Sequence, residues 1–158
     1  SGGVSVGDFD LVKNIMAEQG EINFWRINMR QGKPVAFGRI GSTPLLGLPG
    51  NPVSAAVTFE LFGRPVLRKM LGHTRLLRTQ IEVIVEDGIA DKATRRHYVR
   101  AHVTWRDGRF VAQTTGNQGS NIMTSLVNAN ALVIVPEGGV EIKAGEPAKA
   151  LMLDWPEA

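Results

Sequence analysis

Cysteine is absent from this chain of 158 residues, which excludes disulfide stapling and thiolate-ligated metal centres. Tyrosine occurs once and aromatic residues make up only 6%, so a nucleic-acid surface that stacks bases on interleaved rings is not expected. No run reaches the ~18 apolar residues of a membrane-spanning helix, and no basic-then-apolar leader opens the chain. Neither charge sign dominates. Eighteen Lys and Arg face 15 Asp and Glu, for a net charge of +3, a mild bias toward anionic partners and far short of a nucleic-acid binder's. His97 and His102 have no third ligand at metal-binding spacing, and no Ser-His-Asp or Cys-His arrangement occurs. The expectation is a cytoplasmic protein with no membrane and no nucleic-acid partner.

What is present has strong local order. Hydrophobic residues make up 43%, and a chain of this length buries roughly 70% of its unfolded surface. The opening SGGVSVGD reads as a Gly-rich turn. Phe9, Leu11, Val12, Ile15 and Met16 then recur at helical spacing over residues 8–19, with Asp8 as N-cap and Gly20 as the stop. INFWRINMR alternates as a strand, with Trp25, Ile27 and Met29 on one face and Phe24, Arg26, Asn28 and Arg30 on the other. A turn at 31–34 leads to short apolar strands at 35–38 and 44–48. GLPGNPVS follows and opens a helix running to about residue 71, with Asn51 as N-cap and Pro52 as first helical residue. Strand, loop and helix in this order predict an α/β unit with a mainly parallel sheet.

The character changes near residues 72–75. Short β-rich runs follow at 80–86, 98–105, 110–115, 131–136 and 148–153, separated by Asp-Gly and Gly-Gly turn signals. Only SNIMTSLVNA, from Ser120, reads as helical. This half is expected to be a small β-barrel or sandwich of its own, giving domains over 1–73 and 74–158.

Several residues are candidates for binding oxyanions. The small residues of SGGVSVGD, Gly2, Gly3 and Ser5 among them, let backbone N–H groups approach a phosphate, although a tight strand-to-helix turn needs the same residues. Pro49, Gly50, Asn51 and Pro52 fix a rigid backbone ahead of a helix; capping explains Asn51 and Pro52 but not Pro49-Gly50. Two such loops favour a shared anion site at the ends of the strands. Arg26, Arg30 and Lys33 repel one another unless solvated or paired with an anion. Asp10 either complements a helix dipole or, with phosphate oxygens, holds Mg²⁺. TTGNQGSN, residues 114–121, suits a turn or a ligand loop, and Arg95, Arg96, His97 and Arg100 form a basic cluster.

Taken together, SGGVSVGDFD, FWRINMRQGKPVAFG and GLPGNPVSAAVTFELFGRP resemble the MoeA-type molybdopterin molybdenumtransferases, and also the E-domain of gephyrin. The resemblance runs on through Arg100 and TTGNQGS. It implies the second half of a MogA-like α/β/α molybdopterin-binding domain followed by a small all-β barrel domain. It implies molybdenum cofactor biosynthesis: molybdate inserted into adenylated molybdopterin with release of AMP, assisted by Mg²⁺. It also implies a homodimer whose cleft lies between the α/β domain of one subunit and the C-terminal domain of its partner. Asp10 matches an active-site acid, which would make it catalytic and a metal ligand. Arg26 and Arg30, also catalytic candidates, stand where the family commonly has lysines, a departure that replaces a compact ammonium with a planar fork. Lys33, Pro49, Pro52, Arg100 and Ser120 match ligand-lining positions. The family's upstream acidic residues would precede Ser1, so these residues alone are expected to form an incomplete site. The alternatives are a gephyrin-like dimeric scaffold and a pterin-binding module without catalysis.

Overall fold

Connection length decides how the first sheet pairs. Strands β1 (Gly20–Arg26), β2 (Pro34–Ile40) and β3 (Thr43–Gly47) lie in the order β1-β2-β3, both pairs antiparallel. The computed structural model describes residues 20–32, 34–90, 94–139 and 141–155, and for residues 20, 22, 24–26 and 34 the backbone alone. The helix predicted over 8–19 and the Gly-rich opening lie outside the described residues. The mainly parallel pairing expected from the strand–loop–helix order does not occur among the described strands. A parallel crossover needs about a dozen residues or more, whereas only Gly41 and Ser42 separate β2 from β3 and seven residues separate β1 from β2. The α/β class stands.

The chain divides into two compact units, Ser1–Leu76 and Leu77–Ala158. In the first, the alternation predicted as far as Arg30 stops earlier. Strand β1 ends at Arg26, and the Met29 N–H donates to the Ile27 carbonyl at 2.8 Å, closing a three-residue turn. Helix α1 (Pro52–Thr58) follows β3; its path widens into a π turn at Phe59–Gly63 and resumes as α2 (Arg64–Met70). Pro65 explains the widening. It has no N–H to donate and its ring collides with the carbonyl four residues back, so the Arg64 N–H reaches instead to the Phe59 carbonyl. The helix ends when the His73 and Gly72 N–H groups donate back to Arg68 and Lys69, a Schellman closure with Gly72 in the left-handed region, φ +83°.

The hairpin end between β1 and β2 is keyed to α1. Gly32 has φ +77°, and a Cβ there would lie 1.9 Å from Thr58 Oγ1 and 2.9 Å from Met29 Cε. Only glycine brings this turn so close to the helix. Met29, Gln31, Ser54 and Thr58 are all buried around the contact.

In the second unit, β4 (Gln80–Val85), β5 (His97–Arg106), β6 (Arg109–Thr114), β7 (Ala131–Val135) and β8 (Pro147–Met152) close a barrel in the order β4-β6-β5-β7-β8. All pairs are antiparallel except a short parallel β4–β6 contact. Small and β-branched side chains fill it, including Val83, Val85, Val99, Ala101, Val103, Ala112, Val133 and Ala150, as the narrow bore of a five-stranded barrel requires. Of the expected barrel or sandwich, the barrel is what forms. The segment from β6 to β7 carries helix α3 (Met123–Val127) and is tied to β5 at both ends. Asn130 accepts from the Val103 N–H at 2.7 Å and donates to its carbonyl at 3.0 Å. Beyond the last β5–β7 pair, this amide stands in for a strand partner.

Three substitutions test these contacts by urea unfolding of the whole chain. Gly32→Ala should cost about 2–5 kcal/mol from backbone strain plus overpacking, whereas Gly41→Ala, at φ +57° with nothing within 4 Å, should cost only about 1–2 kcal/mol. Equal costs would remove the steric argument. Asn130→Ala should cost about 1–3 kcal/mol by leaving the Val103 peptide groups unmet, and an unfolding midpoint indistinguishable from the parent's would show the clamp is dispensable.

Candidate functional site

Of the residues singled out in the sequence, Gly2, Gly3, Ser5, Asp8, Asp10 and Lys33 lie outside the described residues. The others fall into two groups, one in each unit.

In the first unit, Arg26 is the last residue of β1 and pairs across the hairpin with Pro34. Arg30 is exposed on the connecting bend, four residues on, and Lys33 immediately precedes Pro34 in the chain. The hairpin end therefore carries three cationic positions, and its Gly32 rests against Thr58 of α1. The same helix begins at Pro52. Asn51 stands at its N-cap with extended backbone, φ −68° and ψ 125°, and makes no side-chain capping hydrogen bond; its carbonyl accepts from the Ala55 N–H at 2.8 Å. Pro49 is buried, while Gly50 and Pro52 are exposed. The hairpin end and the 49–52 loop, distant in sequence, are thus both attached to one helix.

That contact also buries polar atoms. Gln31 is 2% exposed and Thr58 0%, and neither Gln31 Oε1 nor Thr58 Oγ1 has a hydrogen-bond partner among the described residues. A buried oxygen without a partner typically costs about 1–3 kcal/mol. Sequence reasoning passed over both, because a lone Gln in a turn and a Thr inside a helix carry no pattern of their own.

The second unit holds Arg100 and Ser120. Arg100 lies on the outward face of β5, since Val99, Ala101 and Val103 point into the barrel core. Even so it is 0% exposed, because the segment after β6 folds over it. Its Nε and Nη2 donate to Ser125 Oγ at 3.1 and 2.9 Å, and Nη2 donates to the Gly119 carbonyl at 3.0 Å. The Arg100 N–H donates to Gln118 Oε1 at 2.8 Å, and Gln118 Nε2 returns a bond to the Arg100 carbonyl at 3.1 Å. Thr115 adds its N–H and hydroxyl to that carbonyl. Ser120 is exposed at the crest of this loop. Gln118 and Thr115 were legible only as parts of a polar loop, and Ser125 only as part of the segment read as helical.

The basic cluster near residues 95–100 does not form one surface. Arg96 pairs with Glu137 at 3.2 Å. A hydrogen bond to Tyr98, and then the Glu137 charge, raise its pKa further, while Glu137's own backbone N–H and the Arg96 charge hold that carboxylate below its usual range. His97 is buried and His102 exposed, and Arg100 is internal. Among the described residues no three His, Asp or Glu side chains gather at a metal-sized site. No described helix is long and apolar enough to cross a membrane.

Residues 1–69 match the family model described as a probable molybdopterin binding domain, and residues 82–153 match the MoeA C-terminal region, domain IV. Among curated proteins, the chain is 36% identical to gephyrin of Dictyostelium discoideum, over 97% of this chain and 25% of that protein. It is 33% identical to the molybdopterin molybdenumtransferase of Haemophilus influenzae, over 92% of this chain and 37% of that one. The solved structure of the molybdopterin biosynthesis MoeA protein from Pyrococcus horikosii superposes with a TM-score of 0.74 at 26% identity, covering 92% of this chain and 35% of the other. The chain thus spans about a quarter to just over a third of the length of the curated relatives it matches. With both units matched in order, the chain belongs to the MoeA family, within which it corresponds to the molybdopterin-binding and C-terminal regions.

Proposed function

We propose that the complete protein is a molybdopterin molybdenumtransferase acting in molybdenum cofactor biosynthesis, with residues 1–73 supplying part of the pterin site and residues 74–158 the C-terminal domain. One observation carries this reading: a molybdopterin-binding region and a MoeA C-terminal region follow one another in the chain, and the first presents a cationic hairpin end seated on the helix that opens with GLPGNP.

The substrates are oxyanions, adenylated molybdopterin and molybdate. Water attacks phosphorus in the pterin–AMP phosphoanhydride, the P–O–P bond breaks and AMP leaves. The two dithiolene sulfurs then bond to molybdenum, and one molybdate oxygen departs as water with the two thiol protons. Arg26, Arg30 and Lys33 hold the phosphate and molybdate oxygens and offset charge developing on the leaving AMP. Because a guanidinium offers two parallel donors where the family's lysines offer a point charge, Arg26 and Arg30 favour planar, bidentate grip on an oxyanion edge. Backbone N–H groups of Gly2, Gly3, Ser5, Gly50 and Asn51 fix the ligand's position, and the two prolines of the 49–52 loop hold its backbone rigid.

The described residues do not by themselves fit Mg²⁺, since no carboxylate cluster occurs among them. Asp10 is the carboxylate that would contribute to such a site, or orient the attacking water. The protein is read as a cytoplasmic homodimer in which Ser120 faces the partner's cleft.

The test is AMP release from adenylated molybdopterin by the complete protein, with and without molybdate. Release should depend on molybdate and fall about 10- to 100-fold in Arg26→Ala, the loss of one or two charge-assisted hydrogen bonds. A folded, dimeric protein that releases no AMP would instead be a gephyrin-like scaffold or a pterin-binding module.

A further inference from the structure

We propose that Arg64 and Arg68 strap the chain leaving helix α2 back onto that helix as far as Leu76, which confines motion between the two units to Leu77 and Arg78. The inference stands apart from the transferase reading. It begins with the way the helix ends. The Gly72 and His73 N–H groups donate to the Lys69 and Arg68 carbonyls, and Gly72, in the left-handed region at φ +83°, reverses the path of the chain. The residues that follow run back along the helix they have just left.

Two arginines one turn apart on α2 meet them there. Arg68 Nε donates to the Arg75 carbonyl at 2.8 Å, and Arg64 Nη1 donates to the Leu76 carbonyl at 3.1 Å. As the chain advances by one residue its partner steps back by one turn, so the pair of bonds fixes direction as well as position. The Arg64 side chain is only 12% exposed and also pairs with Glu60, four residues earlier, at 3.9 Å. A guanidinium has donors enough to serve carboxylate and carbonyl together. Its bond to Leu76 is partly buried while that of Arg68 to Arg75 is exposed, so Arg64 is the stronger anchor.

On the far side, Thr79 already belongs to the barrel. Its carbonyl accepts from the Met152 N–H at 3.0 Å, beside the Gln80–Leu151 pair that opens the β4–β8 ladder. Leu77 and Arg78 therefore lie between the last strapped residue of the first unit and the first fastened residue of the second. The division between the units falls at the same place, between Leu76 and Leu77. Each residue has two soft backbone torsions, so this joint has about four, whereas a joint reaching back to Thr74 would have about ten.

The strap is tested by limited trypsin digestion of the complete protein, with each cut assigned by mass spectrometry. The carbonyl that Arg68 holds belongs to the Arg75–Leu76 peptide bond, itself a trypsin site. Cleavage there should be slow in the parent and rise about tenfold or more in the double variant Arg64→Met/Arg68→Met, because losing both bonds raises the population of the open segment. Either single variant should rise less, cleavage after Lys69 should keep the parent's rate, and Glu60→Gln should match the parent at Arg75. An unchanged rate after Arg75 in the double variant overturns the inference. So does acceleration at Lys69 in step with Arg75, since the helix itself then frays, or a Glu60→Gln effect equal to that of Arg64→Met, since the ion pair then protects the segment. The extent of the joint is read by nitroxide labels on Thr74→Cys and Leu77→Cys, both exposed positions. The label at 74 should be slow in the parent and several-fold faster in the double variant, and the label at 77 fast in both. Equal mobility at the two positions in the parent would show that the joint begins before Leu76 and overturn the confinement.

Discussion

A permanently charged side chain is buried at least cost where oxygens meet its donors, and the hydrogen bonds of Arg100 Nε and Nη2 shape the second unit. Arg100 projects from the outer face of a barrel strand, where solvent would ordinarily take its charge. Instead the segment between β6 and β7 wraps over it and turns oxygens of Gly119 and Ser125 toward the guanidinium. Gln118 and Asn130 clamp that segment to β5 at its two ends with side-chain amides that copy strand pairing. The loop's shape therefore follows from its bonds to Arg100 Nε and Nη2 and to two stretches of strand backbone.

A different constraint organises the first unit. A two-residue link commits β2 and β3 to antiparallel pairing, and the hairpin end before β2 must then find support elsewhere. It finds it on α1, where Gly32 lies against Thr58 with no room for a side chain. Because the GLPGNP loop enters that same helix, the cationic hairpin and the loop are referred to one rigid element. Such rigidity is what an oxyanion site needs, since fixed donors need no reorganisation when charge develops. The cost is visible in the buried oxygens of Gln31 and Thr58, which have no hydrogen-bond partner among the described residues.

Much of this was legible in the residues. The valine- and alanine-rich runs separated by Asp-Gly and Gly-Gly turns specify barrel strands to within a residue or two, because alternation and turn chemistry are local signals. Pro52 marks the helix start for the same reason. Less was legible where a local rule competes with a neighbour. The alternation through Arg30 was broken by a turn at Ile27–Met29, and Pro65 produced a π turn within a segment whose pattern reads as plain helix.

The site divides along the same line. Residue type alone determined that this chain carries cations, glycine-rich loops and no thiols, on which the proposed oxyanion site is built; the order of its motifs placed it near one family. Tertiary structure decided which of these residues act outward and which inward. Arg30 and Arg100 are indistinguishable as letters, yet one is exposed on a bend and the other enclosed beneath a loop. Burial of a side chain depends on segments distant in sequence, and a charge's role follows from whether those segments leave it facing water or one another.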